Sequence, residues 1–558
     1  MLPPMFPLLL LACATSGHIQ LGGDDTDRDT AIPTDDSADE LPSESSLTLG
    51  EPVMTPEGGA FVGETTVTLD VDGGDGDLEY CRADPGDTDC TFQAYTGPIT
   101  LGASTILHAR VNLEGELSKT IGRSFVEVDD TVGAFSSTVP VLVFWTTGSA
   151  PDGTDDVSIG LTVVEPVDGA EAGVLDVPVD SGRGRIHVHG SSSSGFDKKA
   201  YDLELRQPDN DDDRKASLGG MPKNGDWVLY APYYFDEALV RNPLAYALSN
   251  TVGRYAPHTQ FAEVFLAQRH RAVTSADYLG VYVITEEVEI DPDRVAITPM
   301  LPEDVAEPEV TGGYLFKIDR TGTGESGFYA GSGGGIWQFQ QSFVNVQPSE
   351  SELVRPQSNY LTATLDSIGD ALVRPDLTDP RTGLRYDELL DVDSFIDHHI
   401  LNVYLKNPDS FRLSGYMFKD REGLVQAGPL WDFDRAAASA DSRAWLPTWW
   451  DDQNETTDCT DVWEFGWYPG LFDDPVFAER YWARMEELLR SDLSNDAVDA
   501  QIDALVAPLN APAARNSTRW GSSDYRARVA ELKTWLHTRN AWMLQCIDTY
   551  PDPRDCPG

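Results

Sequence analysis

Residues 407–437, NPDSFRLSGYMFKDREGLVQAGPLWDFDRAA, decide how this chain is read. A polar turn precedes the short apolar run Tyr416-Met417-Phe418, and a charged turn follows it. A second apolar approach ends in Trp431-Asp432-Phe433-Asp434. Read as a hairpin, the stretch brings Asp409 near Asp432 and Asp434 at one end of two strands. Converging carboxylates repel, and a divalent cation offsets that repulsion. Mg²⁺ prefers one or two carboxylates plus substrate phosphates. Phosphoryl transfer uses this equipment, with one Asp orienting the acceptor hydroxyl and another holding the metal on ATP. The plainer alternative is a surface hairpin with two Asp-bearing turns, since Asp is a common turn residue.

The chain has 558 residues, enough for three or four domains, and is 41% hydrophobic and 10% aromatic. It carries 93 acidic against 40 basic residues, a net charge of −53. That charge excludes a broad basic face for duplex nucleic acid and general attraction to anionic lipid. A nucleotide site in such a chain must supply its own local positive charge.

The first residues, MLPPMFPLLLLA followed by Cys13, resemble a bacterial lipoprotein signal with Leu10-Leu11-Ala12-Cys13 as lipobox. Its apolar run is too short to span a bilayer. The resemblance implies a signal peptide over residues 1–12, lipidation of Cys13, export, and membrane attachment through that anchor alone. Between residues 22 and 46, nine acids and one Arg with hardly any large apolar residue cannot bury a core. Residues 13–47 therefore read as a disordered acidic tether. Of the remaining cysteines, Cys81 and Cys90 are close in sequence, as are Cys546 and Cys556, with Cys459 left over. Two local disulfides and one odd thiol are the simplest arithmetic for an exported protein.

Residues 48–130 alternate in short runs such as Thr66-Val67-Thr68-Leu69 and Thr105-Ile106-Leu107-His108-Ala109-Arg110, separated by Gly and Asp turns. This is the pattern of a small all-β sandwich. PEGGAFVGETTVTL and YTGPITLGASTILHARV also resemble the chitobiase C-terminal-like β-sandwich, which implies a spacer or weak binding module.

Longer strands follow: residues 139–144, 157–164 and 185–190. A Gly/Ser loop, Ser191-Ser192-Ser193-Ser194-Gly195, then leads into Lys198-Lys199-Ala200-Tyr201-Asp202-Leu203-Glu204-Leu205. Small residues let backbone N–H groups and hydroxyls approach phosphate. A Lys on the next strand reaches the same place. Strand alternation puts Lys199 with Tyr201, Leu203 and Leu205 on the inner face, and Lys198 with Asp202 and Glu204 outside. An amphipathic helix is expected from Asp236 as N-cap, with Pro243 kinking it or shifting its start. Two further strands are expected at residues 261–266 and 278–284.

The pieces HGSSSSGFDKKAYDLEL, LGGMPKNGDWVLYAPYYFDEALVRNPLAYAL, GRYAPHTQFAEVFL, YLGVYVITEEVEIDPDRVAI and GGYLFKIDR together resemble the CotH (spore-coat protein H) kinase family, over roughly residues 138–545. The resemblance implies an α+β fold: an atypical protein-kinase-like two-lobed domain, here preceded by the β-sandwich. The β-rich N-lobe would cover residues 131–300, a mostly helical C-lobe 301–550, and a tail 551–558. It implies ATP with Mg²⁺ or Mn²⁺, and Ser/Thr residues of secreted or envelope proteins as acceptors. Carried over by position, Lys199 matches the ATP lysine, with Lys198 beside it and Ser191, Ser192 and Ser193 in the phosphate loop. Glu286 falls at the linker between lobes. Asp409 matches the catalytic Asp, and Asp432 or Asp434 the metal Asp, with Asp432 preferred. The family's loop often begins Arg-Gly where this chain has His189-Gly190. The metal-binding Asn that protein kinases place five residues after the catalytic Asp is Ser414 here, a weaker ligand.

Residues 389–404 read as a helix with Asp393 as a cap, leading into Asp409. His398 and His399 read as packing residues. The Trp-rich segment 445–472 reads as locally packed, with a substrate-docking lid as the alternative. Helices are expected at 475–489, 495–509 and 523–550. The sequence thus supports a surface-anchored, ATP-dependent protein kinase. The competing class is a non-catalytic cell-envelope or adhesion protein on the same scaffold, since fold alone does not settle activity.

Overall fold

In the computed structural model, which describes residues 47–322, 326–330, 342–450, 462–521 and 524–557, seven strands close into a barrel. They are β1 (Val141–Trp145), β2 (Val157–Val164), β3 (Asp180–His189), β4 (Ala200–Arg206), β5 (Asp226–Tyr230), β6 (Thr259–Ala267) and β7 (Tyr278–Glu286). The order is β1-β2-β3-β4-β5-β7-β6. An odd number of strands cannot close with antiparallel pairs alone, and the β1–β6 pair is parallel. Phe144, Leu161, Ile186, Leu203, Trp227 and Ile284 fill the interior. Val141, Val143 and Trp145 point outward onto Val126 and Val128 of the preceding module. Both faces of β1 are therefore buried, which is why it reads as an unbroken apolar run.

The preceding module is two sheets. One holds Glu51–Thr55, Thr65–Asp72 and Ile99–Leu101; the other holds Gly59–Val62, Ile121–Val128, Thr105–Leu113, Asp77–Ala83 and Gln93–Ala94. Met54, Val67, Leu69, Leu107 and Phe125 form their shared core. The Ser124 N–H donates to Ser181 Oγ at 2.9 Å, and Trp145 Nε1 donates to Ser124 Oγ at 3.0 Å, which fastens the module to the barrel. Cys81 is joined to Cys90, and Cys546 to Cys556. The signal segment, Cys13, most of the tether and Cys459 lie outside the described residues.

A four-stranded sheet follows: β8 (Tyr314–Asp319), β9 (Ser342–Gln347), β10 (Gly415–Lys419) and β11 (Val425–Ala427), in the order β9-β8-β10-β11. β10 and β11 are the hairpin expected from the sequence, with Met417 opposite Ala427. Besides the short helices Asp130–Gly133 and Tyr468–Phe472, the helices are α1 (Arg241–Thr251), α2 (Arg355–Leu372), α3 (Val392–Leu405), α4 (Pro475–Arg490), α5 (Asn495–Val506), α6 (Asn510–Trp520) and α7 (Tyr525–Thr549). The fold is thus mixed helix and sheet, and a single core runs from the barrel's outer face through these helices. Among the described residues no helix is long and apolar enough to cross a membrane.

Three local expectations are corrected. The helix after Asp236 starts at Arg241. Asp236 instead accepts from the Arg241 N–H at 3.0 Å and pairs with the Arg241 side chain at 2.8 Å. Pro243 lies in the first turn, where its missing N–H has no helical partner to lose. α3 is capped by Asp391, whose side chain accepts from the Ser394 N–H, and not by Asp393. α6 was not anticipated. It docks on β7 through Asn516, whose Oδ1 accepts from the Val281 N–H at 3.1 Å, and Trp520, whose Nε1 donates to Leu279 O at 2.9 Å. A Cβ on Gly280 would lie 2.5 Å from Asn516 Oδ1, and its φ is +100°, so the contact requires glycine there. In the Trp-rich segment Trp450 and Trp467 are packed, while Trp445 and Trp449 are exposed.

Candidate active site

A cavity of about 510 Å³ opens where the barrel, the β8–β11 sheet and the turns of residues 407–437 meet. Its size suits a nucleotide-sized ligand. From the barrel side it is lined by His189, Gly190, Ser191, Ser192, Ser193 and Lys198; from the other side by Lys317, Asp319, Asp409, Ser414, Asp432 and Asp434. The hairpin therefore brings Asp409, at its entrance, and Asp432 and Asp434, past its exit, onto one cavity.

Asp409 is held by arginines. Arg412 pairs with it, Arg443 reaches it at 3.3 Å and Arg435 at 3.6 Å. Arg435 and Arg443 are themselves braced by Asp441, at 3.2 and 2.6 Å. The carboxylate is thus fixed in one orientation by groups from three points of the chain. Of these, Arg412 and Arg435 follow Asp409 and Asp434 closely in sequence and could have been singled out there. Arg443 gave no such signal.

Asp432 and Asp434 form a pair of another kind. They lie two residues apart on one wall of the cavity, close enough for their charges to interact. Burial first, and repulsion between carboxylates second, push both carboxyls up, Asp432 to about 6 and Asp434 well above the ordinary carboxylate range. Buried carboxyls whose mutual repulsion resists ionisation suit a divalent cation, whose charge can offset that repulsion. Asp409 does not join them in a closed ligand cage. Among the described residues, the side chains close enough for that are Cys81, Cys90 and His108, whose sulfurs are already joined. The aspartate pair therefore fits a metal that completes its shell with phosphate and water, as Mg²⁺ does.

The backbone here is strained. Lys406, Phe411, Ser414, Asp432, Ala437 and Ala438 all have φ between +37° and +63°. Such non-glycine residues cost about 1–3 kcal/mol each and cluster at functional sites. Gly190, at φ +89°, turns the chain into the serine loop, and a Cβ there would sit 2.3 Å from Ser193 Oγ.

Two lysine assignments and one glutamate assignment are overturned. Lys198 is the inward lysine, 1% exposed. Its Nζ donates to Pro232 O and Asn516 Oδ1, each at 3.0 Å, and to Val281 O. Lys199 does not line the cavity, and its Nζ donates to Ser194 O. The alternation failed because β4 begins only at Ala200, so the lysines belong to the irregular approach. Glu286 also faces away, accepting at Oε2 from the His258 N–H at 2.8 Å and from Tyr255 Oη at 3.1 Å. Its neighbours Thr285 and Glu287 line the cavity instead. Glu287 is hemmed by the cavity wall and faces Asp202, Asp226 and Glu289; lost hydration and these charges push its carboxyl up to about 7.

Several residues were not anticipated. Lys317 on β8 lines the cavity with its Nζ 3.7 Å from Asp319 and 6.0 Å from the Tyr416 ring centre. Arg320 stands at the same edge. His189 is anchored through Nδ1 to Asp202 at 2.7 Å. The Trp431 ring stacks on Tyr246 at 5.9 Å between centroids.

The CotH kinase protein family matches residues 186–543, which include every residue of this cavity. No curated protein matches the chain.

Proposed function

The chain belongs to the CotH kinase protein family, and from that premise we propose that it is an ATP- and divalent-metal-dependent protein kinase, two-lobed in the manner of its relatives. The observation that carries the proposal is the division of the three aspartates: one fixed by arginines, two that no arginine clamps among the described residues and that stand two residues apart in the chain, all on one cavity with a serine loop opposite. Bound ATP with Mg²⁺ or Mn²⁺ would supply the phosphoryl group and neutralise its charge. The chain's own residues hold and orient. Asp432, with Asp434, is the metal-binding pair. Ser191, Ser192 and Ser193 present hydroxyls and N–H groups to phosphate, and Lys317 and Arg320 add positive charge at the opposite wall. Asp409 accepts the hydrogen bond of the acceptor hydroxyl, its direction set by Arg412, Arg435 and Arg443. Ser414 lines the cavity beside it as a weak additional ligand.

The acceptors are Ser or Thr of secreted or envelope proteins. The two disulfides support an oxidising compartment, in keeping with export and a lipid anchor at Cys13. The test is transfer of labelled γ-phosphate from ATP to a generic protein acceptor with Mg²⁺ or Mn²⁺. Asp409→Asn should abolish transfer and leave metal-dependent ATP binding nearly intact, because orienting a hydroxyl matters chiefly in the transition state. Asp432→Asn should weaken both. Folded wild-type protein that transfers nothing with several divalent metals would favour the non-catalytic envelope role instead.

A further inference from the structure

The two peptides that flank Asp432 are held by three side chains. The Asp432 N–H donates to Tyr246 Oη at 3.2 Å. The Phe433 N–H donates to Asn242 Oδ1 at 2.6 Å. Asn407 Nδ2 donates to Asp432 O at 3.2 Å, and the same amide accepts the Asp409 N–H through Oδ1 at 3.2 Å. Asn242 and Tyr246 are four residues apart on α1, hence on one face, and both are buried.

The turn needs this support. Asp432 has φ +62°, and Ala437 and Ala438 further on have φ +37° and +55°. Left-handed backbone is unfavourable for residues with a Cβ. The alanine part is held in the same way: Arg241, at the start of α1, donates from Nε to Ala436 O and Ala437 O and from a terminal nitrogen to Ala438 O, at 2.9–3.0 Å. Arg241 is in turn fixed by buried Asp236. The aspartate pair thus hangs from the first turns of one helix. A single asparagine amide joins it to the backbone of Asp409.

Resting on the metal-site reading above, we propose that Asn242, Tyr246 and Asn407 are positioning residues. They clamp the left-handed turn at Asp432 so that Asp432 and Asp434 face the cavity as a divalent-metal pair in register with Asp409. None of them is required to touch the metal. Their contribution is to keep the two carboxylates in the binding arrangement before the ion arrives.

The test uses the full chain and Mn²⁺ as probe, with free ion measured by electron paramagnetic resonance in the presence and absence of ATP. Tyr246→Phe keeps the ring on Trp431 and removes one acceptor. It should weaken Mn²⁺ binding about five-fold, the worth of one ordinary hydrogen bond. Asn242→Ala should weaken it about ten-fold. In metal-free protein both variants should exchange the Asp432 and Phe433 amide hydrogens faster than wild type. Leu248→Ala, a buried α1 change remote from the turn, should lower stability and leave Mn²⁺ affinity unchanged. Wild type that binds Mn²⁺, with Tyr246→Phe and Asn242→Ala binding it equally well, would overturn the positioning role alone. Wild type that binds no Mn²⁺ would overturn the metal-site reading and this inference together.

Discussion

Replacing Lys198 by Met should destabilise the protein before any ligand is added. The side chain is 1% exposed, and its Nζ donates to three acceptors: Pro232 O, Val281 O and Asn516 Oδ1. Methionine fills the same channel and provides no donor. A buried acceptor deprived of its partner costs about 1–3 kcal/mol. Asn516 Oδ1 keeps the Val281 N–H, so its loss falls at the low end. Against this stands the relief of no longer burying an ammonium, whose pKa burial pulls well below the usual lysine value. The balance is a loss of about 3 kcal/mol, with a range of about 2–4. Lys199→Ala removes one bond to a loop carbonyl at the surface and should cost under about 1 kcal/mol.

Urea unfolding of metal-free, nucleotide-free protein reads both values, and thermal shift with ATP and Mg²⁺ reads ligand binding separately. Lys317→Met should do the reverse of Lys198→Met, leaving urea stability nearly unchanged and reducing the shift with ATP. If Lys198→Met unfolded at the wild-type urea concentration and lost the ATP-dependent shift, Lys198 would be a phosphate lysine after all, and its role as the tie between the barrel and α6 would be refuted.

Arg515→Met should cost about 3–5 kcal/mol, because it strands the fully buried Glu263 that Arg515 holds; adding Glu263→Gln should recover part of the loss in urea titrations. Glu287 holds its proton more tightly in the folded protein, near 7 against an ordinary 4.5, so it stabilises below pH 4.5 and this contribution is lost as pH rises towards 7. Glu287→Gln should flatten the stability–pH curve across that window. Burial keeps His398 and His399 neutral, with pKa values of about 4 and 3. The unfolded chain takes up protons first, so stability is lost as pH falls from 6.5 towards 3, and His399→Gln should make that loss less steep in acid titrations.

The parts legible in the sequence share a cause. The hairpin of β10 and β11 announced itself because apolar runs and polar turns lie next to each other in the chain. The barrel strands were readable as strands, yet not as to which face was inward. In a closed barrel covered outside by another layer, both faces are apolar, and alternation then carries little information. Lys199 was misplaced for a different reason: both lysines precede the first residue of β4, where alternation does not yet apply. α6 was missed because NAPAARNSTRW is polar and contains Pro and Ser; tertiary contacts with β7 hold it rather than an apolar stripe.

Charge shows how a local arrangement can oppose a global property. A net charge of −53 argues against an anionic ligand. Yet Lys198, Lys317, Arg320, Arg412, Arg435 and Arg443 all line one cavity, against Asp319, Asp409, Asp432, Asp434 and Glu287. Arg412, Arg435 and Arg443 are engaged with Asp409 or Asp441, so they orient a carboxylate more than they attract a ligand. Lys198 is turned towards α6. Lys317, itself 3.7 Å from Asp319, stands with Arg320 and the serine loop on the cavity wall, and in the proposed function a metal ion at Asp432 and Asp434 would add positive charge. A nucleotide therefore cannot be drawn in from a distance by this protein's field; it must be captured at contact range, inside a Debye length of about 10 Å. In the proposed function, a metal at Asp432 and Asp434 would carry most of the attraction. In the same function, the geometry of that pair, set by the left-handed turn at Asp432 and the residues of α1 that hold it, would decide how well the cavity takes ATP.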